Sequence, residues 1–347
     1  MLTPAWLWYG ASRGASLARL ALSPAALGFQ LAVSARAAAY SHGILPVRSL
    51  PLPSIAVGNI DVGGSGKTPI ANHLAQILVK WDLAPAILLR NYCGDEAELH
   101  RSLSPQVTVV ADPDRVRGAF TAEEQGANVL VLDDGFQRLN LRVDLNIALV
   151  AAESMRSSSW VLPAGPWREG WRALGRADLI VVTRRSEKSS NAASIAESLA
   201  TEAHRPTAVV HLYISSFSPL TSQQGMPPTT VAGKKILAVA GVARPDLCAE
   251  QLTALGARVT LLPLPDHYSY SRSSVEDIVH KSAGVDYVVV TAKDAVKLRD
   301  YWPTEVPDPL VANLGVRWEA GKRLLLAMMR TRIESLVTSP GADQGRN

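Results

Sequence analysis

The feature that most constrains this chain is a glycine-rich turn between an apolar run and a helical segment. The apolar run Ser54–Val57 leads into the turn, and Pro69–Trp81 has the pattern of a helix. A strand, a glycine-rich turn and a helix in this order are typical of a Walker A phosphate loop. Glycines let successive backbone N–H groups face a phosphate, and the helix N-terminus adds positive charge. The pattern predicts a nucleotide site formed by Gly63, Gly64, Ser65, Gly66, Lys67 and Thr68.

Two residues at the end of this loop have side chains suited to a nucleoside triphosphate. Lys67 can reach the β- and γ-phosphate oxygens, and the Thr68 hydroxyl can hold Mg²⁺. One position departs from the usual pattern, because Asp61 stands where a glycine is expected five residues before Gly66. The alternative is an ordinary turn with an incidental Gly-Lys-Thr, which the flanking strand and helix disfavour.

A second apolar run, Val129–Leu132, ends in the paired carboxylates Asp133 and Asp134. Carboxylates at the carboxyl end of a buried parallel strand lie beside the phosphate loop in folds of this kind. Oxygen ligands of this type bind Mg²⁺ directly or through water. The sequence therefore predicts a metal site made by Thr68, Asp133 and Asp134, with ATP and Mg²⁺ as cofactors. A polar turn after a strand is the alternative.

Short apolar runs alternate with helical segments along most of the chain. Continuous apolar strands separated by helices indicate a parallel sheet covered on both faces. We therefore predict an α/β fold, a P-loop NTPase-like parallel sheet with helices on both faces, followed by a smaller C-terminal α/β domain. The predicted segments are an N-terminal helical segment at 1–45, a P-loop core at 46–214, a polar linker or hairpin at 215–233, the smaller α/β domain at 234–338 and a disordered tail at 339–347.

Composition excludes several classes of protein. Only two cysteines occur in 347 residues, Cys93 and Cys248, which excludes a disulfide-framed module and a cysteine-rich zinc site. The hydrophobic fraction of 47% excludes a largely disordered chain. The net charge is only +4 and no long basic block is present, so we expect no nucleic-acid partner.

The N-terminal segment allows three interpretations. Its uncharged stretch Leu20–Ala35 is flanked by Arg19 and Arg36 and preceded by Trp6 and Trp8. As a helix, it would span about 24 Å, which is short for a hydrocarbon core of about 30 Å. It could be an interfacial anchor, a secretory signal peptide or an amphipathic helix packed on the domain. ATP and Mg²⁺ belong to the cytosol, which disfavours an export signal and favours an N-terminal membrane-associated helix on the cytoplasmic side.

Six short blocks of the chain form a set. They lie at 57–69, 133–137, 162–169 (Leu-Pro-Ala-Gly-Pro-Trp-Arg-Glu), 240–245, 265–268 (Pro-Asp-His-Tyr) and 291–298 (Thr-Ala-Lys-Asp-Ala-Val-Lys-Leu). In content and order they resemble the tetraacyldisaccharide 4'-kinase family over about residues 50–300. The resemblance implies transfer of the ATP γ-phosphate to the 4'-hydroxyl of an acylated glucosamine disaccharide 1-phosphate, a lipid A precursor. It also implies the cytoplasmic face of a bacterial inner membrane, with no obligate protein partner.

The resemblance also implies roles for single residues. Asp95 would be the catalytic base, with His267 paired to it across a domain cleft, and Lys67 would act on the transferred phosphate. Arg168 and Glu169 would be active-site residues, with a surface ion pair as the alternative. Arg90 and Tyr92 fall in a further family motif, in which Asn91 and Cys93 replace two glycines.

Other functions remain open on the sequence. The chain could be another P-loop small-molecule kinase, a nucleotide-dependent switch or a non-catalytic relative. Against a GTP switch, the nearest match to a guanine-recognition motif, Thr291-Ala292-Lys293-Asp294, has its lysine misplaced.

Overall fold

The structure is a computed structural model and describes residues 4–10, 12–90, 94–156, 160–222 and 224–338. Within these residues the α-helices are α1 (Pro4–Tyr9), α2 (Arg13–Ser41), α3 (Lys67–Val79), α4 (Asp95–Leu103), α5 (Arg115–Glu124), α6 (Ser189–Ala203), α7 (Pro245–Ala254), α8 (Arg272–Lys281), α9 (Ala292–Leu298), α10 (Lys322–Met329) and α11 (Ser335–Thr338). A π-helical turn at Arg330–Glu334 joins the last two.

The β-strands of the same ranges are β1 (Arg48–Ser49), β2 (Ser54–Asn59), β3 (Pro85–Leu89), β4 (Thr108–Ala111), β5 (Val129–Asp133), β6 (Leu141–Arg142), β7 (Leu145–Ala151), β8 (Leu179–Arg184), β9 (Thr207–Pro219), β10 (Lys235–Ala240), β11 (Arg258–Pro263), β12 (Tyr287–Thr291) and β13 (Leu310–Ala320). The chain forms two compact units. The first comprises Met1–Arg90, Gln106–Val210 and Trp318–Asn347, and the second Asn91–Pro105 and His211–Arg317.

The first unit is built on a parallel sheet in the order β4, β3, β5, β2, β7, β8. Its central strands β2, β3 and β5 are buried at every residue. Apolar residues of α5 pack with β3 and β5 in one cluster, and those of α6 pack with β7 and β8 in another. Continuous apolar strands form because helices cover them, which confirms the predicted P-loop NTPase-like class.

The second unit has its own parallel strands in the order β11, β10, β12, β13. Alternate residues of β10 enter different clusters. Leu237 and Val239 pack with α8 and α9, whereas Ile236 and Ala238 pack with α7. Because side chains alternate along a strand, this division places helices on both faces of the strands.

The structure corrects the predicted boundaries. Of the two predictions for the polar segment 215–233, the structure favours the hairpin over the linker: β9 runs through Pro219, and Phe217 pairs antiparallel with Met226 through two backbone hydrogen bonds. Its buried Phe217 belongs to the core of the second unit, which composition could not reveal. Helix α4 joins the second unit, since it contacts α9. Residues 318–338 join the first unit. The predicted tail 339–347 lies outside the described residues.

The N-terminal segment forms a helical hairpin. Helix α2 spans 29 residues, about 43 Å, so it is longer than the apolar stretch suggested. It is long and apolar enough to cross a membrane, by length and composition. Arg19 donates to the carbonyls of Leu7 and Gly10 at 2.8 and 2.9 Å, which ties α1 to α2. One side of α2 exposes Leu17, Leu20, Leu27 and Leu31 at 61–67%.

The helix after the phosphate loop carries a half-buried histidine, His73, whose titration should be measurable. Trp318 Nε1 donates to His73 Nε2 at 3.0 Å. Burial, together with the cations Lys322 and Lys80, lowers the pKa of His73 to about 4. In the unfolded chain, His73 has its ordinary pKa of about 6.5 and is protonated below that pH, whereas in the folded chain it stays neutral down to about pH 4. The contribution of His73 to the free energy of unfolding is therefore fully present above pH 6.5 and is lost as the pH falls towards 4.

We expect the acid sensitivity of folding to change in His73→Gln, which keeps an acceptor for Trp318 but cannot titrate. Between pH 7 and pH 5, His73 should account for a fall of about 2 kcal/mol in the free energy of unfolding. Between the same two pH values, the free energy of unfolding of the variant should fall by about 2 kcal/mol less than that of wild type. Urea denaturation at both pH values measures it, with His280→Gln as the control. An unchanged acid loss in the His73 variant would contradict the assignment.

Candidate functional site

The phosphate loop lies between β2, which ends at Asn59, and α3, which begins at Lys67. Three of its glycines have left-handed backbone angles, with φ of 80° at Gly63, 72° at Gly64 and 83° at Gly66. Only glycine adopts this region without a steric penalty, so the loop can curl ahead of the helix N-terminus. The Thr183 hydroxyl donates to the carbonyl of Ser65 at 2.9 Å and fixes the loop from strand β8.

The Lys67 ammonium group lies between two oxygen atoms. It donates to Asn59 Oδ1 at 3.1 Å and is 3.3 Å from Asp134 Oδ1. The carbonyl and the carboxylate hold the positive charge beside the loop glycines, where a phosphate would lie. Lys67 and Asp134, both predicted from motifs, are thereby brought together.

The paired aspartates at the end of β5 face different partners. Asp133 is buried and accepts from the Thr68 hydroxyl at 3.4 Å. Asp134, whose φ is +58°, turns instead towards Lys67 and Arg168. Burial by itself would raise the pKa of Asp134, but the Lys67 and Arg168 cations outweigh it and hold that pKa below its usual value. One carboxylate is therefore paired with cations and the other with the loop threonine.

Arg168 and Glu169 are neighbours in sequence with separate contacts. The Arg168 guanidinium donates to Gln137 Oε1 at 3.0 Å and lies 3.5 Å from Asp134 Oδ1. The buried Glu169 pairs instead with Arg176 at 2.8 Å. Arg168 therefore joins the cluster around Lys67, whereas the Glu169 carboxylate is held in an ion pair beside it.

A second cluster lies wholly within the second unit. Asp95 begins α4 and is buried, with His267 Nδ1 at 3.2 Å and Lys297 Nζ at 3.7 Å from its Oδ2. The expected pairing of Asp95 with His267 is present, but not across a domain cleft, because both residues belong to one unit. The correction follows from α4, which packs on α9 although it is far from it in sequence.

The hydrogen-bond pattern assigns the tautomer of His267. Lys293 Nζ lies 3.0 Å from His267 Nε2 and 2.9 Å from Asp266 Oδ1. An ammonium group only donates, so Nε2 must accept and the ring proton must reside on Nδ1, facing Asp95. The imidazole thus donates from Nδ1 to the Asp95 carboxylate and orients it.

Three contributors to these clusters were missed by sequence reasoning. They are Asn59, Lys293 and Lys297. A signal existed for the two lysines, because positions four apart on α9 share one helix face. Asn59 is the last residue of β2, and its contact with Lys67 depends on how the following loop folds. Arg90 is half-buried, and the predicted Tyr92 lies with Asn91 and Cys93 outside the described residues.

Comparison with known proteins gives consistent matches. The family model for Tetraacyldisaccharide-1-P 4'-kinase matches residues 18–98 and 90–334. A tetraacyldisaccharide 4'-kinase of Pelobacter propionicus is 33% identical, over 92% of this chain and 89% of the relative. That of Bdellovibrio bacteriovorus is 29% identical, over 92% and 98%. The crystal structure of LpxK from Aquifex aeolicus in complex with ATP matches with a TM-score of 0.69 and 26% identity, covering 90% of this chain and 99% of that one.

Proposed function

The chain belongs to the tetraacyldisaccharide-1-P 4'-kinase family, and on that premise we propose that it transfers the ATP γ-phosphate to the 4'-hydroxyl of an acylated glucosamine disaccharide 1-phosphate. This is a step of lipid A biosynthesis. The observation that carries the proposal is the position of the Lys67 ammonium, held between Asn59 and Asp134 at the start of α3. Phosphoryl transfer needs mainly positioning and charge neutralisation, which this arrangement supplies.

The nucleotide side of the reaction is assigned to the phosphate loop. The backbone N–H groups around Gly63–Gly66 and the N-terminus of α3 would bind the β- and γ-phosphates, with Lys67 adding a full positive charge. Arg168 is assigned to a phosphate, since a guanidinium can bind two phosphate oxygens at once. Glu169, paired with Arg176, is assigned the positioning of the segment that carries Arg168.

The residues around Thr68 fit Mg²⁺. The donor set of Thr68, Asp133 and Asp134 consists of oxygen atoms, the ligands that Mg²⁺ prefers. Thr68 and Asp133 already lie within 3.4 Å of each other, and these three residues would hold the ion. When bound, Mg²⁺ neutralises charge on the β- and γ-phosphates. The part of the chain that the structure describes holds no cluster of three or more His, Cys, Asp or Glu side chains suited to a metal, so phosphates and water would complete the coordination.

The acceptor side is assigned to Asp95. A sugar hydroxyl is a weak nucleophile, and a carboxylate placed near it can take the proton as the new phosphorus–oxygen bond forms and the γ-phosphorus separates from the bridging oxygen of the leaving ADP. His267 holds that carboxylate through Nδ1, and Lys293 holds the imidazole through Nε2. We therefore assign Asp95 as the base and His267 as its orienting partner.

The exposed leucines of α2 fit a lipid surface. We assign the enzyme to the cytoplasmic face of the bacterial inner membrane, where a lipid acceptor and cytosolic ATP are both available. Its partners are the acylated disaccharide and the membrane surface, with no nucleic acid and no obligate protein partner.

We expect Leu27→Glu combined with Leu31→Glu to release the protein from lipid vesicles. The two side chains are 61% and 62% exposed and lie four residues apart, so they would enter the same apolar layer. Each buried leucine contributes roughly 1.5–3 kcal/mol, so partitioning should fall at least about tenfold per residue. Cosedimentation with vesicles measures it, and Phe120→Glu, at an exposed position on α5, is the control. Equal release by both variants would argue against an α2 membrane contact.

The proposed function is tested by direct assay of the product. Detergent-solubilised protein is incubated with Mg-ATP and the tetraacyldisaccharide 1-phosphate, and the lipid is analysed by mass spectrometry. The expected product carries one additional phosphate at the 4'-position. A protein that binds ATP but forms no such product, under conditions where the Aquifex aeolicus protein does, would instead be a non-catalytic relative or a kinase of another small molecule.

A further inference from the structure

Asp61 is the one residue of the phosphate loop that departs from the usual glycine pattern, and the roles proposed above leave it unused. It is 1% exposed and follows the fully buried Ile60 at the start of the loop. A carboxylate this deeply buried beside a phosphate site is costly unless hydrogen bonds compensate it. Its contacts therefore show what it can do.

Both carboxylate oxygens of Asp61 accept hydrogen bonds. Asn59 Nδ2 donates to Oδ1 at 2.7 Å, and the Ser154 hydroxyl donates to Oδ2 at 2.9 Å. Burial raises the pKa of Asp61, and the bonds from Ser154 and Asn59 and the nearby Lys67 charge oppose that rise. Because both oxygens accept from protein groups, one from Asn59 and one from Ser154 in the turn after β7, the side chain is directed towards these partners rather than towards a phosphate.

The Asn59 amide connects Asp61 to the phosphate-loop lysine. Its NH₂ group faces Asp61, and its carbonyl oxygen accepts from Lys67 Nζ at 3.1 Å. The opposite amide orientation would set the NH₂ group against an ammonium and the carbonyl against a carboxylate, losing both hydrogen bonds. A carboxylate at position 61 therefore selects the amide orientation that holds Lys67.

The backbone around Asp61 is also fixed. Asp61 is bridged to Trp167, the Val62 N–H donates to the Pro166 carbonyl at 2.8 Å, and the Arg168 N–H donates to the Ile60 carbonyl at 2.7 Å. These backbone bonds restrain the Cα atom of Asp61, so the backbone cannot shift to compensate for a lost hydrogen bond of the side chain. The Asp61 carboxylate is thus held in place from both sides of the loop.

We propose that Asp61 is a positioning residue for Lys67: by hydrogen bonding, it orients the Asn59 amide so that its oxygen holds the Lys67 ammonium ready for the nucleotide. This inference rests on the proposed nucleotide site. It concerns hydrogen-bond orientation rather than the charge of Asp61, and that difference makes it testable.

The first measurement is the Kd of a non-hydrolysable ATP analogue, determined by calorimetry with Mg²⁺ on the full-length protein. Asp61→Leu removes the acceptor and should raise the Kd about tenfold or more, the usual effect of losing a hydrogen bond to a charged group. Asp61→Asn keeps an acceptor for Asn59, so its Kd should stay within about threefold of wild type. Asn59→Leu should match Asp61→Leu, and the double variant should add little because both act on one contact.

The second measurement does not need the nucleotide. Brief acetylation followed by mass spectrometry compares the labelling of Lys67 with that of Lys80 in the same molecule. Asp61→Leu should increase relative labelling of Lys67 about threefold or more, since a lysine no longer held by Asn59 is freer to react, whereas Asp61→Asn should leave it near wild type. If wild type binds no nucleotide, the proposed function fails while the labelling still decides the role of Asp61.

Asp144→Leu is the matched control, because Asp144 accepts hydrogen bonds from Ser54 at the start of β2, whereas Asp61 accepts from Asn59 at its end. It should lower stability without changing the Kd or the Lys67 labelling. The proposal is overturned if Asp61→Leu behaves like wild type in both measurements. It is equally overturned if Asp61→Asn loses as much as Asp61→Leu, since charge rather than orientation would then be responsible.

Discussion

Lys67→Met should lower the kcat of lipid phosphorylation by about 10²–10³-fold, the usual cost of removing one preorganised donor to a developing charge. The Lys67 ammonium is held at 3.1 Å from Asn59 and 3.3 Å from Asp134, so its position is set before substrate arrives. Methionine keeps much of the side-chain volume and removes only the charge and its hydrogen bonds.

The same substitution should change the pH dependence of the remaining activity. In wild type, Lys67 and Arg168 hold the pKa of Asp134 below its usual value, so the carboxylate stays ionised well into acid. Without Lys67, one of the two main cations is lost and burial acts more strongly, so the pKa of Asp134 should rise. The acid limb of the kcat profile should therefore move to higher pH.

Steady-state kinetics over a pH series measures both effects. Lys80→Met, at the other end of α3, is the control and should show neither. If the Lys67 variant retained full activity, or lost activity with no movement of the acid limb, the assigned contacts of Lys67 would be incorrect.

Asp95→Asn should lower kcat by about 10²–10⁴-fold, the range expected when a positioned general base is lost. The amide keeps the size of the side chain but cannot accept the proton of the 4'-hydroxyl. Asp95 lies in the second unit with His267, Lys293 and Lys297, whereas the phosphate loop belongs to the first unit. The KM for ATP should therefore stay within about threefold of wild type.

A comparison of kcat with the KM for ATP separates this role from a structural one. Glu98→Gln is the control, because Glu98 lies on the same helix and pairs only with the exposed Arg101 among the residues described. Equal losses in kcat and in ATP affinity for Asp95→Asn would show that the carboxylate supports the fold or the nucleotide site instead of acting as a base.

Tertiary structure decided contacts that no motif contained. Asn59 has no feature in the sequence that marks it as a partner of Lys67, because the contact depends on how the loop folds back over the end of β2. Glu169 follows Arg168 directly, yet its carboxylate faces Arg176 because successive side chains of this segment point in different directions. The polar run 215–233 was predicted to be a linker or a hairpin, but one buried aromatic side chain, Phe217, places part of it in a core.

By itself, the sequence determined the α/β class, the glycine-rich loop between β2 and α3, and the paired aspartates at the end of β5. Each of these features depends on residues that are adjacent in the chain, so local backbone geometry fixes their relative positions in the folded protein. Only tertiary structure decided that Asp95 shares a unit with His267, that Lys293 sets the histidine tautomer and that Asp61 faces Asn59. These contacts join residues whose separation is set by strand order and helix packing, and a single sequence does not encode them in any local pattern.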